Sequence, residues 1–275
     1  MELVNYIVMG IIQGVAEFLP ISSSGHLVIS KEILGIEAPA GVLEVVLHLG
    51  TLISILLVYR EEIWGLIVEF FKMIGDTFRL KPDLNKNENR KFITLVLLAS
   101  IPTGIIGILF KDCFEEMFGS LLYVGIALLI TGTILLLTKK YENTTRDFKE
   151  VGFLNGLVVG IVQGFAIVPG ISRSGSTIFA GLLTGMKKEN AVKYSFFISI
   201  PAIMGAALLK YLDLTSEELA GIMNINYLAA FIAAIVIGYI SIKFLINMLN
   251  KGKMYLFAYY CYAVGILSLV YYFVK

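Results

Sequence analysis

Six runs of about twenty mostly apolar residues, near 41–59, 92–110, 119–138, 191–210, 227–247 and 254–274, constrain this chain more than any other feature. Each is long enough to cross a hydrocarbon core of about 30 Å as a helix. The runs are continuous in Leu, Ile, Val and Ala and do not alternate, which selects helices over a β-barrel, the other architecture that satisfies its own backbone in lipid. Composition agrees, since only 16% of the 275 residues are charged where a soluble domain carries about a quarter. The chain reads as an all-α polytopic membrane protein with membrane lipids around it. A net charge of +1 gives no basic surplus for nucleic acid. The opening "MELVNYIVMG" lacks a basic n-region and a small-residue cleavage site after it, so the first segment is expected to stay in the mature protein. Cys113, in a short loop, and Cys261, in an apolar run, do not suggest a disulfide framework or a zinc site.

Two stretches interrupt the apolar pattern: "FLPISSSGHL" from residue 18 and "VPGISRSGST" from residue 168. A shift of 150 superposes Gln13 on Gln163, Gly14 on Gly164, Ala16 on Ala166, Ile21 on Ile171, Ser22 on Ser172, Ser24 on Ser174 and Gly25 on Gly175. The chain is therefore a duplicated unit, about 1–140 and 151–275, within a single membrane domain. Around each interruption, at about 7–33 and 152–185, Pro20 or Pro169-Gly170 ends one short helix and a serine caps the next. Each is expected to form a re-entrant hairpin, because broken backbone at membrane depth is tolerated only inside protein or against a wet cavity.

Basic residues set the expected orientation. Connections 60–91 and 139–151 are rich in Lys and Arg, whereas 111–118 has one Lys and 211–226 has none, so the first two are expected on the cytoplasmic side. Both termini then fall outside. Three crossings in the first unit invert the second, which brings the first hairpin in from outside and the second from inside, with tips meeting near mid-membrane. Residues 70–91 read as a surface-lying helix followed by a loop.

Together, the tips make an anion site. Ser22, Ser24, Gly25, Ser172, Ser174, Gly175 and Ser176 supply hydroxyls and helix-start amides around the guanidinium of Arg173, and these features suit phosphate, although a carboxylate ligand would use the same groups. The copies differ where chemistry would sit: Glu17 against Ile167, Ser23 against Arg173, His26 against Ser176. Gln13 and Glu17 share a helix face, and an ionisable residue within a membrane segment marks function by default. Bland readings stand beside these. Arg173 could anchor a salt bridge to Glu17, His26 could close a turn, and the serines could merely cap helices. Glu44 and His48, four apart in "LEVVLHLG", either line the same cavity or lie at an interface. The Tyr-rich tail "YLFAYYCYAVGILSLVYYFVK" reads as lipid-interface aromatics.

At "QGVAEFLPISSSGH" and "PGISRSGST" the sequence resembles the undecaprenyl-diphosphate phosphatases of the bacitracin-resistance type. Motifs, spacing and surrounding spans match over essentially the whole chain. In the family's E/Q-x-x-x-E block the first position is here Gln13, leaving Glu17 as the only carboxylate. The resemblance implies hydrolysis of undecaprenyl diphosphate to the monophosphate and inorganic phosphate at the outer side of the bacterial cytoplasmic membrane, assisted by Mg²⁺ or Ca²⁺. It implies lipid-carrier recycling for cell-wall synthesis, and bacitracin resistance. Catalytic roles carry over to Glu17, Ser23, His26 and Arg173, with His26 as general base, Glu17 orienting it or helping to bind the cation, Ser23 as nucleophile and Arg173 holding the terminal phosphate; a second assignment makes His26 the nucleophile or has it activate water. A polyprenyl-phosphate flippase would use the same anion site and the same inverted repeats. An intramembrane serine protease would have less use for Arg173.

Overall fold

A computed structural model describes residues 2–35, 42–78, 83–141, 143–215 and 224–275. Twelve α-helices are found among them: α1 (Glu2–Ala16), α2 (Ser23–Leu34), α3 (Val42–Val58), α4 (Arg60–Phe78), α5 (Glu88–Leu109), α6 (Lys111–Phe118), α7 (Leu121–Thr138), α8 (Phe153–Phe165), α9 (Arg173–Leu183), α10 (Lys188–Asp213), α11 (Ile225–Asn250) and α12 (Leu256–Val274). Five of these, α5, α7, α10, α11 and α12, are long and apolar enough to cross a membrane, and α3 qualifies jointly with α4 as a bent pair. The six expected spans and the two broken segments are all present. Among the described residues there is no strand, only an isolated bridge between Arg146 and Met186.

The two repeats interlock. α1 of the first packs along α11 of the second, while its counterpart α8 packs along α5 of the first, and α7 pairs with α12. Small residues make these approaches possible. Without a strong hydrophobic drive between helices in lipid, association depends on close contact, which glycines four residues apart allow. On α8, Gly156, Gly160 and Gly164 form such a stripe, and a Cβ added to Gly160 would collide with the backbone of Ala99 on α5. Gly10 and Gly14 on α1 face Ala230 and Ile237 of α11 in the same way. Hydroxyls cross-link the contacts, with Ser54 Oγ donating to the Ile235 carbonyl at 2.8 Å and Thr103 Oγ1 to that of Gly160 at 2.9 Å.

Exchange of contacts extends to the helix breaks. A Cβ on Gly25 would stand 3.0 Å from Gly170 Cα, and one on Gly175 would stand 3.1 Å from Pro20 Cβ. These two contacts interconvert under the 150-residue shift. The two polar turns therefore touch each other through equivalent positions.

Three connections depart from the sequence reading. The surface helix starts at Arg60, directly after α3 and bent 88° from it, and not near residue 70. Its outward face carries Trp64, Ile67, Phe71 and Phe78, all exposed, while buried Arg90 of α5 holds its polar face through Glu69 and Asp76, both at 2.6 Å. The partner of this polar face is distant in sequence, Arg90 lying 21 residues after Glu69, so the pattern from residue 70 alone does not reveal it. Connection 111–118 is the short helix α6, so Cys113 sits exposed on a helix and not in a loop. Within 211–226, α10 continues to Asp213. Arg79, Lys81, Glu217 and Glu218, which enter the charge count, lie outside the described residues.

Replacing Gly160 by Leu is expected to destabilise the bundle by at least about 1–3 kcal/mol, whereas Gly205→Ala, at a helical site with nothing within 4 Å, should be neutral or stabilising by about 0.5–1 kcal/mol. Thermal unfolding and monodispersity in detergent compare the two.

Candidate functional site

Both breaks end in a serine cap. Ser22 Oγ accepts from Gly25 N at 3.2 Å and Ser172 Oγ from Gly175 N at 3.1 Å, so α2 and α9 begin alike, with Ser23 and Arg173 as their first residues. Two helix starts thus present their positive ends at the junction of the turns, the arrangement an anion favours. Ser22 also binds the opposite turn, accepting from Gly170 N at 3.1 Å. Its backbone pays for this position with φ 70°, the one non-glycine residue in the left-handed region among those described, a strain on the order of 1–3 kcal/mol. Thr131 of α7 secures the second turn, donating to the Gly170 carbonyl at 2.8 Å and accepting from Ser172 N at 2.9 Å. Cys261 of α12 holds the equivalent place on the first, its Sγ 3.7 Å from the Pro20 carbonyl.

Glu17 is the hub. It sits one residue past the end of α1, 6% exposed in its apolar surroundings, where an unpaired charge would be very costly. Arg173 Nη2 donates to its Oε1 at 2.5 Å. Gln13 Nε2 and Ser23 Oγ donate to Oε2 at 2.9 and 2.8 Å, and His48 Nε2 lies 3.4 Å from that same oxygen. Arg173 spends a further donor on the Ser195 carbonyl at 3.2 Å; with five donors in all, it keeps capacity for an anion. A hydroxyl on a carboxylate, beside a guanidinium and two helix starts, is equipped to move a proton off Ser23 while holding negative oxygens.

A family model described as bacitracin resistance protein BacA matches residues 6–267. The chain belongs to this family. Proteins named undecaprenyl-diphosphatase from Halothermothrix orenii and Alkaliphilus metalliredigens are each 44% identical to it, over 98% and 94% of both chains respectively. A protein of the same name from Methanosphaera stadtmanae is 40% identical over 98% of both chains.

The remaining expected residues of this BacA-family chain divide into two groups. Ser24 Oγ lies 3.3 Å from Ser22 Oγ, and Ser174 Oγ 3.2 Å from Ser172 Oγ, while Ser176 Oγ is buried without a hydrogen-bond partner. His48 joins the hub, but Glu44 turns to Lys31. His26 stands apart from Glu17: its Nδ1 is 2.8 Å from the Ser22 carbonyl, and its Nε2 is 2.8 Å from the hydroxyl of Tyr260. The expected orientation of His26 by Glu17 is therefore not the arrangement found. Four residues into α2, the imidazole folds back onto its own helix start, and the shorter reach from Glu17 goes to Ser23.

Sequence reasoning passed over Tyr260, Thr131, Thr177 and Ser195. Thr177 and Ser195 share a 2.6 Å hydroxyl contact beneath Arg173. Thr177 lies inside a motif already marked as unusual, but Ser195 and Thr131 are single hydroxyls in apolar runs and carry no local signal.

Glu17 is the carboxylate the resemblance would offer to Mg²⁺ or Ca²⁺. Its two oxygens accept from Arg173, Gln13 and Ser23, and among the described residues no three His, Cys, Asp or Glu converge on a common point. A divalent cation here would take Glu17 as its one carboxylate and fill its other positions with substrate phosphate and water oxygens, where it would offset charge on the diphosphate.

Glu17→Gln should cost about 3–5 kcal/mol by leaving Arg173 without its counter-charge. Glu17→Gln combined with Arg173→Gln should cost less than the two single changes summed, as measured by unfolding in mixed micelles.

Proposed function

We propose that this chain hydrolyses undecaprenyl diphosphate to undecaprenyl phosphate and inorganic phosphate, as the names of its relatives indicate for those proteins. The observation that carries the chemistry is the Ser23–Glu17–Arg173 chain of hydrogen bonds. Ser23 Oγ attacks the terminal phosphorus and passes its proton to Glu17 Oε2. The bond from phosphorus to the bridging oxygen breaks, and its electron pair leaves on the lipid monophosphate. Arg173 and the amides that open α2 and α9 neutralise the charge on the equatorial oxygens, the main demand of phosphoryl transfer. Water, giving a proton to His26 Nε2, then attacks the phosphoserine, and Glu17 returns the proton to Ser23 as phosphate departs. The apolar chain of the substrate lies along the lipid-facing surface of the bundle. No observation favours the flippase reading.

The two repeats are proposed to be inverted within one membrane unit, with the site open to the extracytoplasmic side and both termini there. Support comes from the basic connections and from the exchanged contacts Gly25 to Gly170 and Gly175 to Pro20.

Phosphate release from undecaprenyl diphosphate in detergent, with Mg²⁺ or Ca²⁺ supplied, tests the activity. Wild type is expected to turn over, and Ser23→Ala and Arg173→Ala to fall by about 100-fold or more while remaining monodisperse; full activity in Ser23→Ala would exclude the covalent route. For orientation, exposed Cys113 should react with a membrane-impermeant maleimide in intact cells and buried Cys261 should not. Labelling of Cys113 only after permeabilisation would reverse the proposed topology.

A further inference from the structure

We propose that Tyr260 is a positioning residue for His26, holding the imidazole in one tautomer-defined orientation and occupying the nitrogen that a reacting oxygen must reach. The inference deepens the phosphatase reading and rests on it for its catalytic part.

A carbonyl only accepts, so the 2.8 Å contact from His26 Nδ1 to the Ser22 carbonyl places a proton on Nδ1. In the neutral ring, Nε2 is then the lone-pair nitrogen. The Tyr260 hydroxyl, 2.8 Å away, donates to it. The rings also stack, with centroids 5.5 Å apart and planes 11° from parallel. Orientation about the side-chain axis is thereby set from two sides: from its own helix and from α12, which belongs to the other repeat.

Placement reinforces this. Cys261, the next residue, contacts the Pro20 carbonyl, so two consecutive residues of α12 grip the first turn at Pro20 and the helix that follows it at His26. Tyr260 itself is 44% exposed and so can move aside for an incoming oxygen. Among the described residues, Tyr260 is the side chain bonded to Nε2. α7 has no charged residue, and α12 has none either. Glu17 is taken by Arg173, Ser23 and Gln13, and Lys275 at the end of α12 is paired with Glu32 of α2.

The hydroxyl donates to Nε2 of the neutral ring and accepts from it in the imidazolium, where the charge-assisted bond is the stronger of the two. Tyr260→Phe keeps the stacking and removes only this partner, so His26 should take up its second proton less readily. The chain has only two histidines, which makes the ring nitrogens directly observable. Full-length protein labelled with ¹⁵N-histidine in detergent micelles, with His48→Gln to assign the signals, gives the titration of His26 without any assay of activity. In Tyr260→Phe the midpoint is expected to move to lower pH by about half to one unit, the difference between a charge-assisted and a neutral hydrogen bond, with Nδ1 still protonated throughout. An unmoved midpoint overturns the proposal.

Kinetics then address the catalytic part. The limb of the kcat/KM profile governed by His26 should move in the same direction in Tyr260→Phe, and adding Tyr260→Phe to His26→Ala should change nothing further. A Tyr260→Phe enzyme with a shifted titration but an unshifted rate profile overturns the positioning role. Wild type that releases no phosphate removes the phosphatase reading and the catalytic role with it, while the titration still reports the bond.

Discussion

Breaking a helix inside a membrane bundle exposes backbone groups that lipid cannot satisfy, and the structure depends on how two such breaks satisfy each other. The break from residue 17 to 22 and the break from 166 to 172 are each other's environment. Ser22 caps its own helix and binds the backbone of the opposite turn, while Thr131 and Cys261 reach the carbonyls of Gly170 and Pro20 from the paired helices α7 and α12. Interlocking of the repeats follows from this. Glycine stripes bring α1 onto α11 and α8 onto α5, each pairing one repeat with the other, so that the turns arrive at the same place.

Function occupies the asymmetry. Matching positions keep the caps and the glycines, which the backbone needs, and differ at three places where a side chain can act: Glu17, Ser23 against Arg173, and His26. The carboxylate of one copy meets the guanidinium of the other at 2.5 Å. The partly buried guanidinium makes the buried carboxylate tolerable, which would not be stable unpaired in that apolar packing. The same pair that ties the turns together is thus the pair that faces phosphate, and the anchoring and functional readings of Arg173 describe one contact. Strain at Ser22 fits this picture, because the hydrogen bonds that over-determine its φ of 70° also fix the start of α2 beneath Ser23.

Much of this was legible in the sequence because it is local. Apolar run length marks spans, Pro20 and Pro169 mark breaks, Ser22 and Ser172 mark helix starts, and the 150-residue shift reveals the duplication without any distance being known. What local pattern could not show were single groups recruited from far away. Tyr260 is one tyrosine in a tail full of them, and nothing in its neighbours separates the residue that bonds His26 from Tyr259, which is exposed at 61%. Ser195 and Thr131 are likewise ordinary hydroxyls within apolar helices. The polar face of α4 is likewise satisfied from a distance, by Arg90, twenty-one residues beyond Glu69.

Sequence alone therefore determined the class, the spans, the two broken segments, the duplication and the residue types at the site, since each follows from periodicity, capping or composition over a few turns of chain. Tertiary structure decided who bonds to whom. It gave Ser23 to Glu17 and His26 to Tyr260, drew His48 into the hub and turned Glu44 away to Lys31. The physical reason is reach: hydrogen bonds act over about 3 Å, and which groups come that close is set by the packing of helices distant in the chain, a quantity that no local stretch of residues contains.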